Sequence, residues 1–128
     1  MDVGLIMAER NDTGRQGESV ARQYLEDNGY KVLETNWRFH RYELDIIATD
    51  GKDLVIIEVK TRSDNYLIAP ERAVDRGKIR RIVTASDAYA RMKNITLPIR
   101  FDIICLIKKG VSFNIEDYIE DAFFAPIK

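Results

Sequence analysis

The sequence predicts one α/β domain with a mixed five-stranded sheet and flanking helices, in the order α-β-β-β-α-β-β. Three observations lead there. Apolar residues recur at helical spacing in two segments, 13–28 and 71–93. Short apolar, β-branched runs fill the chain between and after them. Asp50-Gly51 separates two of those runs, the strongest short-range hairpin signal. A length of 128 residues suits a single domain, 1–128, with its core between about 13 and 123.

In the first helix, Asp12 or Thr13 supplies a cap, and Val20, Ala21, Tyr24 and Leu25 form the apolar stripe. Asn28-Gly29 ends it, since both residues tolerate the left-handed conformation. "KVLETNWRF" reads as the first strand, and "ELDIIA" and "DLVIIEVKTR" as the second and third, joined by "TDGK". "SDNYLIAP" is a loop. The second helix offers Val74, Ile79, Ile82, Val83, Tyr89 and Met92 to the core. Pro98 closes the next loop, "IRFDIICLI" is a fourth strand, "KKG" a turn and "VSFNI" a fifth strand. The acidic tail "EDYIEDAF" carries no clear pattern.

Composition excludes several classes. With 45% hydrophobic and 32% charged residues the chain is globular rather than disordered. Its apolar runs fall far short of the ~20 residues of a spanning helix. "VGLIM" is too short, and too soon followed by Glu9 and Arg10, for a signal peptide, so a cytoplasmic protein without membrane association is expected. One cysteine, Cys105, and one histidine, His40, argue against a disulfide or a structural zinc. Cys105 lies within "FDIICLI" and reads as a small buried hydrophobe, and His40 as a solvated turn residue. The net charge of −1 gives no global signal for nucleic acid, so any such surface must be local.

The hairpin carries the chemistry. If Asp50-Gly51 is a two-residue turn, Thr49 faces Lys52, Ile47 faces Leu54, Asp45 faces Ile56 and Glu43 faces Glu58. Glu43, Asp45, Glu58 and Lys60 then share one face, while Leu44, Ile46, Val55, Ile57 and Val59 fill the other. Asp45 and Glu58 become diagonal neighbours, with backbones roughly 7–8 Å apart. Two carboxylates so placed can converge on one hard cation with a preference for oxygen. The plainer explanation is an exposed sheet end with cross-strand ion pairs, each stabilising by ~0–1 kcal/mol. Against it stand three acids on one face, following apolar runs typical of central strands.

Asp45 followed by Glu58-Val59-Lys60 resembles the PD-(D/E)xK nuclease signature. "GRQGESVARQYLEDNGYKVLETNWR", "ELDIIATDGKDLVIIEVKTR", "AVDRGKIRRIVTAS", "RFDIICL" and "IEDAF" occur in the order seen in the YraN-like family of small bacterial predicted endonucleases. That family is itself similar to archaeal Holliday-junction resolvases. The resemblance implies a restriction-endonuclease-like core and a metal-dependent endonuclease acting on DNA of branched or otherwise structured form. It implies that Asp45 and Glu58 hold Mg²⁺ or Mn²⁺, that Lys60 assists the attacking water, and that Glu18, from "GRQGE", joins them as a catalytic residue. Taken alone, Glu18 reads rather as a solvated glutamate paired with Arg22, and the resemblance is what favours the site. The chain departs from the family pattern at Tyr42, where a small residue precedes E-x-D, and near "IEDAF", where Tyr118 stands in the neighbourhood of an expected histidine.

Nucleic acid has a local surface available. Residues 71–93 carry seven cations against three acids, and Arg72, Arg76 and Arg80 recur at i+4. Lys78 and Arg81 lie on the same helix, Arg38, Arg41, Lys60 and Arg62 extend a basic rim near the hairpin, and Arg15 is a further candidate contact. An ordinary solvated helix face is the plainer reading of such a run. Gly14 and Gly17 would allow close backbone approach, and Trp37, Tyr42 and Tyr66 are candidates for base stacking. A non-cleaving nucleic-acid-binding module of the same fold, and a scaffold whose acidic tail binds a partner, are the competing functions. Resolvase-like relatives suggest a homodimer, with the fourth and fifth strands as an interface.

Overall fold

The computed structural model describes residues 16–63 and 75–123. Helix α1 covers 16–27. It is followed by β1 (Lys31–Phe39), β2 (Tyr42–Thr49), β3 (Leu54–Ser63), α2 (Arg76–Met92), β4 (Ile99–Lys109) and β5 (Ser112–Phe123). The strands form one sheet in the order β1-β2-β3-β4-β5. All neighbours are antiparallel except β3 and β4, which run parallel and are connected through α2. The mixed α/β architecture and its element order are those expected from the sequence.

Alternation along the central strands divides the core. Ile47, Leu54, Ile56, Phe101 and Ile103 pack under Ile82, Ala85 and Tyr89 of α2. Ile46, Ala48, Val55, Ile57 and Ile104 pack under Ala21 and Leu25 of α1 on the opposite face. Gly17 lets α1 approach the sheet closely, because a Cβ there would meet Leu106 Cδ1 at 3.3 Å. Cys105 is buried as expected, at 2% exposure.

Several expectations are corrected. The β2–β3 connection is a four-residue loop, since Thr49 pairs with Leu54 and Ile47 with Ile56. Asp50 Oδ1 accepts from the Lys52 and Asp53 N–H groups, and Thr49 Oγ1 donates to the Asp53 carbonyl, which closes the wider loop. The register therefore moves by two residues along β3, and an even shift leaves the side chains of the paired segment on their expected faces. Leu44, beyond that segment, is an exception, packing on the α2 side. Beyond Ile46–Ile57 the pairing of β2 with β3 stops, while β2 continues along β1, where Asn36 is left-handed (φ 52°). Strict alternation is lost there.

Helix α2 begins at Arg76, capped by Asp75. Met92 is 63% exposed rather than in the core. Trp37 packs edge-on against Tyr89 at 5.1 Å and is a core contact, not a free stacking platform. The acidic tail is a strand: β5 runs through it to Phe123. Asp12, Thr13, Gly14, Arg15, Tyr66, Arg72 and Val74 lie outside the described residues.

Beneath α1 lies a polar network that holds β5 to β4. Asp102 is fully buried and receives two bonds from Arg100, at 3.0 and 2.8 Å, and one from the Asp121 N–H at 2.8 Å. Tyr118 donates its hydroxyl to the same carboxylate. Arg100 also reaches Tyr30, Asp50, Asp53 and Glu120. The carboxylate of Asp102 holds the Arg100 guanidinium well above its usual range, although burial opposes that charge. Burial and then Asp102 push the Tyr118 phenol upward. Asp121 sits in the left-handed region (φ 55°), which turns its N–H onto Asp102.

Candidate metal centre

Glu58 lies on β3, the middle strand, where the first turn of α2 passes over it. Its flanking apolar residues draw the strand into the core, and the side chain is left 1% exposed. Asp45 is the first residue of β2 beyond the paired segment, and its Oδ2 accepts from the Val59 N–H at 2.9 Å. The carboxyl of Asp45 thus takes the place of a ladder bond and stands beside Glu58.

Lys78 completes the group from above. Asp75 Oδ1 accepts from the Lys78 N–H at 2.8 Å and starts the helix there. Lys78 Nζ lies 2.9 Å from Glu58 Oε2, an ion pair by distance. Among the described residues no well-aligned hydrogen bond reaches either carboxylate oxygen of Glu58, so the ammonium offsets the charge without satisfying the lone pairs. Lys60 projects to the same face and adjoins Lys78.

Electrostatics follow from this crowding. Burial, then the neighbouring Glu58 charge, pushes Asp45 up to about 7, against the opposing pull of the Val59 N–H and Lys78. Burial and the adjacent Lys78 lower the Lys60 ammonium. Burial also opposes the charge on Lys78, but contacts with Lys60 and Glu58 outweigh it and raise that group.

An open cleft of about 290 Å³ leads to the pair, lined by Arg41, Tyr42, Glu43, Asp45, Glu58, Lys78, Arg81 and Ile82. Asp45 and Glu58 are brought together as expected, with Lys60 beside them. Glu18 is not among the lining residues; its Oε2 accepts from Asn36 Nδ2 at 2.7 Å, on the helix that covers the other face. Among the described residues, no three His, Cys, Asp or Glu side chains converge to hold a metal. Glu43 pairs with Arg38 at 3.2 Å. Arg62, a candidate phosphate contact, bonds to Glu116 of β5 at 2.6 Å. Arg76 and Arg80 are exposed on α2, as a phosphate-tracking role requires. His40 is an exposed left-handed turn residue (φ 56°), as expected.

A magnesium-like ion suits this donor set. Such ions need only one or two carboxylates, keeping water and substrate phosphate for their remaining positions. Among the described residues Glu58 Oε1 has no hydrogen-bond partner and Oε2 has only the Lys78 ammonium beside it, and Asp45 stands next to them. Sequence reasoning assigned Lys78 only to phosphate and missed its contact with Glu58. A signal was present: the first turn of α2 has no acid and carries Arg76 and Lys78, against the helix dipole.

The family model described as Uncharacterised protein family UPF0102 matches residues 17–106 of the chain. The chain belongs to the UPF0102 family. A UPF0102 protein of Parabacteroides distasonis is 61% identical over 122 residues, covering 95% of this chain and all of that one. A Bacteroides thetaiotaomicron family member is 48% identical over 94% of this chain and 99% of its own length. The Flavobacterium psychrophilum member is 45% identical over 92% and 98%. The family match spans the candidate metal centre from Asp45 through Lys78. Among the described residues, no helix is long and apolar enough to cross a membrane.

Proposed function

We propose that this UPF0102 protein is a metal-dependent, endonuclease-like phosphodiesterase acting on DNA of branched or otherwise structured form. The observation that carries this reading is the buried Glu58 carboxylate, without a well-aligned hydrogen bond among the described residues, beside Asp45 and two lysines at the foot of an arginine-lined cleft. In this reading Asp45 and Glu58 hold Mg²⁺ or Mn²⁺. When bound, such an ion supplies Lewis-acid polarisation of a phosphoryl oxygen. Lys60, its ammonium lowered by burial, holds or releases a proton at Nζ close to the scissile group. Arg41 and Arg81 in the cleft, and Arg76 and Arg80 on the same helix, track phosphates, with Arg15 and Arg72 as further contacts. Glu18 joins the catalytic group only by leaving Asn36. A homodimer and a cytoplasmic location belong to the same proposal.

The test is cleavage of branched, flapped and single-stranded DNA with Mg²⁺ or Mn²⁺. Asp45→Asn and Lys60→Ala should each reduce the rate by about 10²–10³-fold. Unchanged rates in both variants would overturn the residue assignment. A second reading, a nucleic-acid-binding module that does not cut, is favoured by one observation: Lys78 already offsets Glu58. DNA binding that survives EDTA and Asp45→Asn, with no cleavage by the wild-type protein, would select it.

A further inference from the structure

Glu58 presents an uncommon situation. It is 1% exposed, and among the described residues neither of its oxygens accepts a well-aligned hydrogen bond. Its one ion-pair contact among the described residues is Lys78 Nζ, 2.9 Å from Oε2. A buried carboxylate left without a counter-charge costs several kcal/mol, so a cation at that position stabilises its ionised form. Lys78 supplies one from α2. Its side chain remains 34% exposed, on the side that opens into the cleft. The ammonium therefore has a route outward that leaves the helix in place.

We infer that Lys78 is the resident cation of the Glu58 seat: it occupies the place a divalent ion takes, and the ion binds by displacing it into the cleft. This rests on the reading of Asp45 and Glu58 as metal ligands. A magnesium ion sits about 2.0–2.1 Å from a ligating oxygen. An ammonium held 2.9 Å from the same oxygen would stand against that ion, with the charges repelling. That repulsion sets the ion and the ammonium in competition for Oε2. The outcome is reciprocal: the ion loosens Lys78, and Lys78 weakens the ion by the same factor. Once displaced, the ammonium reaches the part of the cleft bordered by Arg41 and Arg81, where a phosphate would lie. One side chain thus keeps the apo protein stable and becomes an anion contact when the metal arrives.

The experiment is calorimetric titration of the full chain with Mn²⁺ at fixed pH, comparing wild type with Lys78→Met, Lys78→Gln and Arg81→Met. Lys78→Gln keeps an N–H donor near Glu58 and protects against loss of folding. Both Lys78 variants should bind Mn²⁺ about tenfold more tightly. Arg81→Met removes an equal charge from the same cleft without touching Glu58, and should change affinity by about twofold or less. In wild type, acetylation of Lys78, read by mass spectrometry, should rise several-fold at saturating Mn²⁺. Equal affinities in wild type and a folded Lys78→Gln protein would overturn this inference alone. Equal tightening in Arg81→Met would also overturn it, by reducing the effect to the general field. Unchanged acetylation at saturation would do the same. Absence of Mn²⁺ binding in every folded protein would overturn both the inference and the metal-centre reading beneath it.

Discussion

Glu58 and Asp102 are buried carboxyl groups on the adjacent strands β3 and β4, on opposite faces of one sheet. Asp102 receives four hydrogen bonds, two from Arg100 and one each from Tyr118 and Asp121. Among the described residues Glu58 receives no well-aligned hydrogen bond, and has one ammonium at 2.9 Å. The chain can evidently build a complete donor set around a buried acid. Where it does so, the acid ties β5 and the β2–β3 loop into the sheet. Where it does not, the acid faces a cleft with a second acid beside it. Satisfaction of the lone pairs separates a structural carboxylate from one kept available for a ligand.

That contrast can be broken most severely at Asp102. Asp102→Ala should lower stability by about 3–5 kcal/mol in urea unfolding, because four hydrogen bonds are lost at once and the Tyr118 hydroxyl and the Asp121 N–H lose their acceptor. At the other centre the sign reverses. Replacing Glu58 and Lys78 together by methionine should raise stability by about 1–4 kcal/mol in EDTA, as a poorly satisfied pair yields to apolar packing. A loss of stability in that double variant would mean that Glu58 is structural after all.

Asp45 sharpens the comparison through pH. Its folded value of about 7 lies above the ordinary 3.8, so the native state holds the proton more tightly. The stability it contributes is full below about pH 4 and is lost as pH rises through about 7. Asp45→Asn should remove that slope and leave the variant more stable at pH 8, by about 1–3 kcal/mol in urea midpoints. Divalent binding in the wild type should strengthen over the same interval, since the ligand must lose its proton. Smaller still is Tyr118→Phe, which deletes one of four donors to Asp102 and should cost about 1–2 kcal/mol. The exposed Arg22–Glu26 pair marks the floor: Arg22→Ala should change the thermal midpoint by no more than about 0.5 kcal/mol allows.

Local pattern accounts for much of the site. The run "LVII" builds a central strand, and parity alone places Asp45, Glu58 and Lys60 on one face. A register wrong by two residues preserved that parity. The loop length was not legible in Asp50-Gly51, because Asp50 spends its carboxylate on the Lys52 and Asp53 amides rather than on a tight turn. The strand character of "EDYIEDAF" was hidden for a related reason. Its inward residues find their reward in Asp102, which lies elsewhere in the chain.

By itself, then, the sequence determined the order of elements, the two apolar faces of the sheet and the pairing of one aspartate with one glutamate, because each depends on periodicity over a few residues. Tertiary structure decided which charges meet. It set Lys78 on Glu58, Glu116 on Arg62, Asn36 on Glu18, and Tyr118 and Asp121 on Asp102. Those contacts join residues remote in the chain, and their partners are chosen by the path of the backbone, which no local spacing records.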